Sequence, residues 1–237
     1  MKISETTGQV DLREKGLNQG QVISLDRRLF MKFNAFSGQI DEKEIIKKCS
    51  EINGAIYRDI NDPNGIGLLI LSEDPAEFIK INQEVLSLPP FSDLQHKHEF
   101  DMLGRTYSIG YENDLEEVLI NKPKNKIKDP NFKWCVWYPL RREKKFYVLP
   151  ADKQKKILGE HGNLAKRYGY AGLAVDIRLA CHGLDKQDND FVIGLLGPDL
   201  HPLSAVVQEM RQTEQTAHYL ESLGPFFIGL KIWENIS

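Results

Sequence analysis

The sequence predicts an α+β protein made of two ferredoxin-like (βαββαβ) modules. Their antiparallel sheets are expected to pack into a barrel-like core with the helices outside. Three observations predict this fold. Stretches with the two-residue period of strands recur in both halves of the 237-residue chain, and stretches of helical period separate them. The halves also resemble each other, since LLILSEDP is answered by IGLLGPDL, and LGRTYSIGY by LGPFFIGLK.

The N-terminal half is assigned to residues 24–112, after an arm (1–23) that lacks periodicity. It begins with an alternating aromatic strand (28–38) and a helix (41–52). The segment GIGLLILS is a buried strand that leads through a turn to a helix beginning near Pro75. The segment LGRTYSIGY (103–111) is the last strand of this half.

A charged, proline-containing connector occupies residues 113–130. Its lysines permit a nucleic-acid patch, but a solvated linker is the favoured interpretation for a chain of net charge −3. The C-terminal half, 131–237, begins with the aromatic strand FKWCVWYPL. The helix ADKQKKILGEHGNLAKRY follows, then the strands LAVDIRLACHG and DFVIGLLG. A helix over PDLHPLSAVVQEMRQTEQTAHYL and the strand LGPFFIGLKIW complete it.

Composition excludes several classes of protein. The slightly acidic charge selects neither nucleic acid nor an anionic membrane, and no apolar run approaches the roughly 20 residues of a membrane span. The polar N-terminus has no apolar core of a secretory signal, so we expect a cytoplasmic protein. Three widely spaced cysteines form no CxxC pair, and no phosphate-binding glycine motif or HExxH is present. His96 and His98, in the polar DLQHKHEF, are expected to be solvated.

His161 is the first candidate for chemistry, because it lies in the apolar stripe of the predicted helix KKILGEHGNLAKRYG. A buried imidazole needs a partner, so it is either a core histidine bonded to backbone or a metal ligand. A single metal-ligating histidine on an apolar helix face has one common candidate metal, which is haem iron.

An axial imidazole usually has an acceptor at its other ring nitrogen. The apolar positions Leu203, Val207 and Met210 predict one helix face, and Glu214 continues it four residues after Met210. Glu214 is therefore a candidate partner of His161. The alternative is that the helix ends before Glu214 and leaves its carboxylate in solvent.

Several ordered segments resemble the chlorite dismutase family, and within it the coproheme decarboxylase branch. They are WYPLRREKKFYVLP, EHG, GLDKQDNDFVIGLL and EMRQTEQTAHYLESLGPFFIG, and they cover about residues 130–232. The N-terminal half resembles that family by architecture alone. The resemblance implies haem b or coproheme bound in the C-terminal half, with His161 as the proximal iron ligand and Glu214 as its support. It also implies a homo-oligomer, expected to be a pentamer.

The same resemblance assigns roles to residues of the WYPLRR segment. Tyr138 matches the tyrosine whose radical attacks a porphyrin propionate in the decarboxylase branch, and Arg142 stands where that branch has a basic residue, typically lysine. Arginine can clamp a carboxylate but is a poor proton shuttle. Arg211 resembles a propionate-binding arginine. The alternatives are an ordinary strand aromatic for Tyr138 and a surface arginine for Arg211.

The predicted distal side of the haem departs from the family. Asp176 stands where chlorite dismutases have arginine and decarboxylases have glutamine, and Arg178 follows on the same face of the strand. A bulge would exchange the two positions, and a half-solvated strand has the same pattern. Asp176 over the iron would act as an acid–base group in peroxide cleavage and would disfavour chlorite chemistry.

The leading prediction is a haem-dependent oxidoreductase that uses hydrogen peroxide to convert the propionates of coproheme and so forms haem b. Alternatives are a haem peroxidase or a divergent chlorite dismutase, and a haem carrier or sensor without turnover. An RNA-binding protein is the weakest alternative, because ferredoxin-like modules can present aromatic residues to bases but the expected glycine–aromatic pattern is absent.

Overall fold

The structure is a computed structural model that describes residues 10–237. Residues 1–9 of the predicted arm lie outside the described residues. The rest of that arm forms a hairpin of β1 (Glu14–Asn18) and β2 (Gln21–Leu25), so the prediction of an irregular arm is wrong for this part. The turn between them uses Gln19 and Gly20 at positive φ, which suits a two-residue hairpin loop.

The N-terminal module contains the predicted βαββαβ elements. They are β3 (Phe30–Ser37), α1 (Glu42–Lys48), β4 (Gly54–Asp59), β5 (Gly65–Ser72), α2 (Ala76–Ile81), the short β6 (Gln95–His96) and β7 (Met102–Arg105). A π-helical turn over Asn82–Leu86 extends α2. Strand β4 has no counterpart among the predicted elements, and the predicted last strand, 103–111, is too long because β7 ends at Arg105.

The connector is not a solvated linker. It contains a π-helical turn, Glu117–Asn121, and α3 (Lys122–Lys128), in which the proline occupies the first turn. Leu119, Ile120 and Ile127 are buried in the core of the protein, whereas Lys122 and Lys128 are exposed. The charges dominate the composition, but the apolar residues between them fix the position of the connector.

The C-terminal module follows the predicted order. Its elements are β8 (Trp134–Arg142), α4 (Lys144–Tyr147), α5 (Ala151–Tyr170), β9 (Val175–Ala180), β10 (Phe191–Gly197), α6 (Leu200–Met210), α7 (Glu214–Tyr219), β11 (Leu220–Leu223) and β12 (Phe227–Asn235). The single long helix predicted after β10 is wrong. It is interrupted after Met210, and a second helix begins at Glu214 with Thr213 as its N-terminal cap residue. None of the helices between residues 10 and 237 has the length and apolar character needed to cross a bilayer.

The two modules join into one closed antiparallel barrel, which confirms the predicted fold class. The strand order is β7-β3-β5-β4 in the first module and β9-β10-β8-β12 in the second, which is the ferredoxin-like order in both. Strands β4 and β12 join one pair of edges, and a single residue pair, Arg105 with Ala180, joins β7 to β9. Because β10 pairs with both β8 and β9, the sheet has no free edge along this path.

Side chains alternate between the barrel interior and two outer surfaces. The interior is filled by large residues that include Phe33, Tyr57, Trp137 and Phe227. In the N-terminal module, the outer surface is covered by α1 and α2 through residues such as Ile45 and Phe78. In the C-terminal module, the outer residues of β8, β9 and β10 face α5 and α6 instead.

Gly194 makes room for the largest residue of the barrel interior. It lies directly opposite Trp137 on the neighbouring strand, and a Cβ at position 194 would stand 2.5–2.7 Å from three atoms of the indole ring. We predict that Gly194→Ala lowers the free energy of unfolding by about 1–3 kcal/mol through this overpacking. The measurement is the midpoint of urea unfolding.

The control variant is Gly159→Ala in α5, where a Cβ would meet no atom within 4 Å. Alanine favours a helix over glycine by about 1 kcal/mol, so this variant is expected to be as stable as the parent chain or more stable. Equal unfolding midpoints for Gly194→Ala and the parent chain would contradict the packing described for the interior.

Candidate functional site

Helix α5 stands over the outer face of the C-terminal sheet without burying its own apolar stripe. Of its twenty residues, Ile157 alone is fully buried, while Leu158, Leu164 and Tyr168 are half-buried. A Cβ built on Gly162 would meet no atom within 4 Å, so there is open space beside His161. An amphipathic helix of this length normally buries its stripe against the core. Part of the apolar stripe of α5 therefore remains free to contact a bound group.

The sheet below α5 presents a regular grid of outward side chains. The middle strand, β10, contributes Phe191, Ile193 and Leu195. The registers place Tyr138 of β8 and Arg178 of β9 on either side of Ile193, and Val136 and Asp176 on either side of Leu195. Tyr138 and Arg178 therefore flank an apolar strip. Because neighbouring strands lie about 4.8 Å apart, the backbones of these two residues are roughly 10 Å apart. The grid is apolar at its centre and polar at the edge that β9 forms.

His161 projects from α5 into this space as a neutral imidazole. Burial lowers its pKa to about 4; the charge of Asp176 acts against this shift, and those of Arg142 and Arg178 add to it. Its Nδ1 lies 3.4 Å from the hydroxyl oxygen of Thr213, whose own proton is donated to the Met210 carbonyl oxygen at 2.7 Å. The Thr213 oxygen is therefore available as an acceptor for an Nδ1–H proton. In that tautomer the lone pair lies on Nε2.

Glu214 does not occupy the position that the sequence analysis gave it. Because α6 ends at Met210 and Glu214 begins α7, the spacing of four residues does not keep both on one helix face. No hydrogen bond joins the Glu214 carboxylate to His161 anywhere in the described chain. Instead, the Glu214 N–H donates to the carboxylate of Glu160 at 3.0 Å, which ties α7 to α5. The residue beside the imidazole is Thr213, one position earlier.

Tyr138 lies on the outer face of β8 and is almost completely buried. Its ring contacts that of Phe226, with the centroids 4.7 Å apart. Burial raises the pKa of its phenol far above the ordinary value, and the negative charge of Asp176 raises it further. The phenol is therefore protonated at any physiological pH.

Arg142 lies between two aromatic rings at the end of the same strand. Its guanidinium carbon is 4.5 Å from the ring centroid of Phe191 and 4.9 Å from that of Phe146. The backbone N–H of Arg142 donates to Asp190 at 2.7 Å. Its Nε is buried and has no hydrogen-bond partner among the described residues. A buried, unpaired donor on a cation is a site that an anion would complete.

Asp176 and Arg178 both point outward from β9 and bind each other. Arg178 Nε lies 3.1 Å from a carboxylate oxygen of Asp176, and Lys126 Nζ lies 3.9 Å from the other oxygen. The register of β9 against β10 is regular from Val175 to Ala180, so the bulge considered for this strand is absent. The two side chains share the face that carries Tyr138. Which of the two stands over a bound group stays a prediction.

The side chain of Arg211 makes fewer contacts than those of the other candidate residues. It is exposed at the end of α6, where its backbone N–H donates to the Val207 carbonyl oxygen at 3.2 Å. Its guanidinium has no ion pair within residues 10–237.

Tyr107, which the sequence analysis missed, reaches the grid from the N-terminal module. Its ring centroid is 5.7 Å from that of Phe191, and the positive charges of Arg142 and Arg178 oppose the rise in its pKa that burial causes.

These residues fit a haem-type group. A flat apolar macrocycle matches the apolar strip of β10, and a neutral imidazole on the facing helix is an axial ligand of the usual kind. The unpaired Nε of Arg142 suits a propionate carboxylate. His161 would hold the metal, and Arg142 would bind a substituent at the rim.

Comparison with known proteins points to the same group. The family model described as chlorite dismutase matches residues 95–232, which is more than half of the chain. The coproheme decarboxylase of Mycolicibacterium smegmatis is 28% identical over 209 residues, which cover 81% of this chain and 80% of that protein.

Two solved structures share the fold. A haem-binding protein from Thermus thermophilus superimposes with a TM-score of 0.68 at 17% identity, covering 88% of this chain and 92% of that one. The chlorite dismutase of Candidatus Nitrospira defluvii in complex with imidazole gives 0.66 at 13% identity, with coverage of 87% and 92%. Together, the family match and the relatives support a haem-binding enzyme. This chain belongs to the chlorite dismutase family.

Proposed function

We propose that the chain binds coproheme between α5 and the outer face of the C-terminal sheet and converts it to haem b with hydrogen peroxide as the oxidant. The observation that carries this proposal is the buried phenol of Tyr138 on the same sheet face as the unpaired Nε of Arg142, beneath a helix that presents a neutral imidazole. An oxidisable side chain and an anion receptor on one face of the sheet suit a substrate that carries carboxylates.

His161 is proposed to hold the iron. Its low pKa keeps the imidazole neutral, as coordination requires, and Thr213 accepts the Nδ1–H proton so that Nε2 is the ligating atom. A threonine hydroxyl is a weaker acceptor than a carboxylate and leaves the imidazole less basic. The proximal imidazole is therefore a weaker electron donor than in a site where a glutamate fills this position.

Arg142 is proposed to bind a propionate. The two flanking rings hold the guanidinium plane in one orientation, and the unpaired Nε gives it a donor that the protein does not use. Because arginine stays protonated, it fixes the carboxylate as an anion and does not supply a proton.

Tyr138 is proposed as the side chain that is oxidised. Because its pKa is raised, the phenol must release its proton together with an electron. The negative charge of Asp176 acts on the phenol, so this carboxylate is a candidate acceptor of that proton. When bound, an iron porphyrin would supply the two-electron oxidation by peroxide. For each propionate, loss of CO₂, two electrons and one proton leaves a vinyl group, and the peroxide is reduced to two molecules of water.

A haem peroxidase is the second candidate, because of Asp176. The carboxylate is half-buried and shares the sheet face with Tyr138, although its ion pair with Arg178 holds it in place. A carboxylate on the distal side of a haem can move a proton during peroxide cleavage. Turnover of a dye with peroxide, without loss of propionates from bound coproheme, would favour this candidate.

The first test uses Tyr138→Phe. We expect this variant to bind coproheme as the parent chain does, but to form haem b at least about a hundredfold more slowly when peroxide is added, because no phenolic hydrogen is available. Pigment analysis by mass spectrometry and the pyridine haemochrome spectrum measure the product.

The matched control is Tyr168→Phe, which removes a phenol that donates to Glu209 on the neighbouring helix. It is expected to retain turnover within a few-fold. Normal conversion by Tyr138→Phe would refute the assignment of Tyr138, and absence of conversion by the parent chain would refute the decarboxylase proposal.

The second test follows from the neutral imidazole. The pKa of His161 is about 4 in the folded chain against 6.5 for an ordinary histidine, so between these values the unfolded chain binds more protons. Stability of the porphyrin-free chain should therefore rise from pH 4 to pH 6.5 and lose this contribution as the pH falls. His161→Gln should flatten that part of the dependence on pH.

The measurement is the urea midpoint at a series of pH values. The control is His201→Gln, since His201 is exposed at the start of α6 and its replacement should leave the slope unchanged. Identical slopes for His161→Gln and the parent chain would contradict the burial of a neutral imidazole.

A further inference from the structure

A second group of potential ligands lies in the N-terminal module, away from the site under α5. His96, His98 and Asp101 each offer one ligand atom, and these atoms all lie within 4.8 Å of one another. His96 Nε2 is 2.6 Å from one carboxylate oxygen of Asp101, and His98 Nδ1 is 3.2 Å from the other. The sequence analysis expected solvated histidines, but His96 is half-buried and stacks on Phe36.

The backbone fixes this arrangement. His96 pairs with Phe36 in the short strand β6, and a 3₁₀ turn over His98–Phe100 brings Asp101 back beneath the imidazole rings. Lys97, between the two histidines, points away and binds Asp59 at 3.0 Å and Asp62 at 3.2 Å. The segment is thus anchored on both sides of the cluster, which favours a preformed site.

Asn34 of β3 helps to fix the position of the Asp101 carboxylate. Its side chain is 2% exposed and points at the cluster, with Nδ2 2.7 Å from Asp101 and 3.4 Å from His96 Nε2. Its Oδ1 is buried and has no hydrogen-bond partner among residues 10–237. In this orientation the amide nitrogen donates to Asp101 and holds the carboxylate beside His96.

The charge at the cluster is compatible with a dication. Burial favours the neutral form of Asp101, but hydrogen bonds from His96, Lys186 and Asn34 outweigh it and hold the pKa of the carboxyl well below its usual range. Lys186 also contacts this carboxylate, at 2.9 Å. Its side chain is half-exposed on the loop between β9 and β10, so it can turn into solvent and leave the carboxylate to a metal ion.

We propose that His96, His98 and Asp101 bind one divalent transition-metal ion. Two imidazoles and one carboxylate are a ligand set for Zn²⁺, Co²⁺, Ni²⁺ or Fe²⁺ and a poor one for Mg²⁺ or Ca²⁺. The cluster borders a cavity of about 480 Å³ between β3, β7 and the end of α2. A remaining coordination position facing that cavity can hold water or a small anionic ligand.

The test is titration of the full chain with Co²⁺, followed by its visible absorption, and with Zn²⁺ by calorimetry. We expect one ion per chain with the Co²⁺ spectrum of a nitrogen- and oxygen-ligated site. His98→Ala should weaken binding by at least about tenfold. Since His98 is largely exposed, its replacement is not expected to disturb the fold.

Two further variants distinguish a metal site from a purely structural cluster of ion pairs. Lys186→Ala removes the competing ammonium group and should tighten metal binding, whereas in a structural cluster the same change would not create metal affinity. His201→Ala, the exposed control, should bind as the parent chain does. Absence of stoichiometric binding in both the parent chain and Lys186→Ala would overturn the proposal, and so would unchanged affinity in His98→Ala. Because His161 is intact in all variants, these outcomes are independent of the proposed porphyrin chemistry.

Discussion

Closure of the barrel is the constraint on which the rest of the structure depends. Once β8 and β10 pair with each other and β4 and β7 meet the second module, every strand has one set of side chains committed to the interior. The alternate set must face outward, whatever its chemistry. Tyr138, Arg142, Asp176 and Arg178 share a surface because Cys135, Trp137, Ile177 and Leu179 are required inside.

The two modules use their outer surfaces differently. In the N-terminal module, the short helices α1 and α2 bury one residue each, Ile45 and Phe78, against the apolar outer face of the sheet. In the C-terminal module, α5 is nearly three times as long as α1 but buries Ile157 alone. The same βαββαβ architecture therefore carries short helices in one half and a long helix with a half-buried apolar stripe in the other. His161 lies on that stripe.

Much of this organisation could be predicted from the sequence, because period-two strands and the repeat of the halves are local signals. The long helix after β10 was mispredicted because its apolar period continues past Met210, although Thr213 before Glu214 is itself a helix-capping signal. Because of this error, Glu214 was predicted to contact His161, whereas the residue next to the imidazole is Thr213. The connector was misjudged because its lysines hid the apolar spacing of Leu119, Ile120 and Ile127. Tyr107 reaches the site from the other module, and a single sequence does not show which strands are neighbours. The histidines near Asp101 are close in sequence, but a 3₁₀ turn brings them together and such a turn has no periodic signal.

Coordination of a porphyrin iron by His161 is the central claim, and an optical titration tests it most directly. Haemin and coproheme are added in turn to the parent chain and to His161→Ala, with His201→Ala as the control. If His161 holds the iron, the parent chain and the control show a one-to-one Soret shift with an imidazole-ligated spectrum, and His161→Ala loses that spectrum. The same spectrum and affinity in all three chains would contradict this claim, as would a parent chain that binds neither porphyrin.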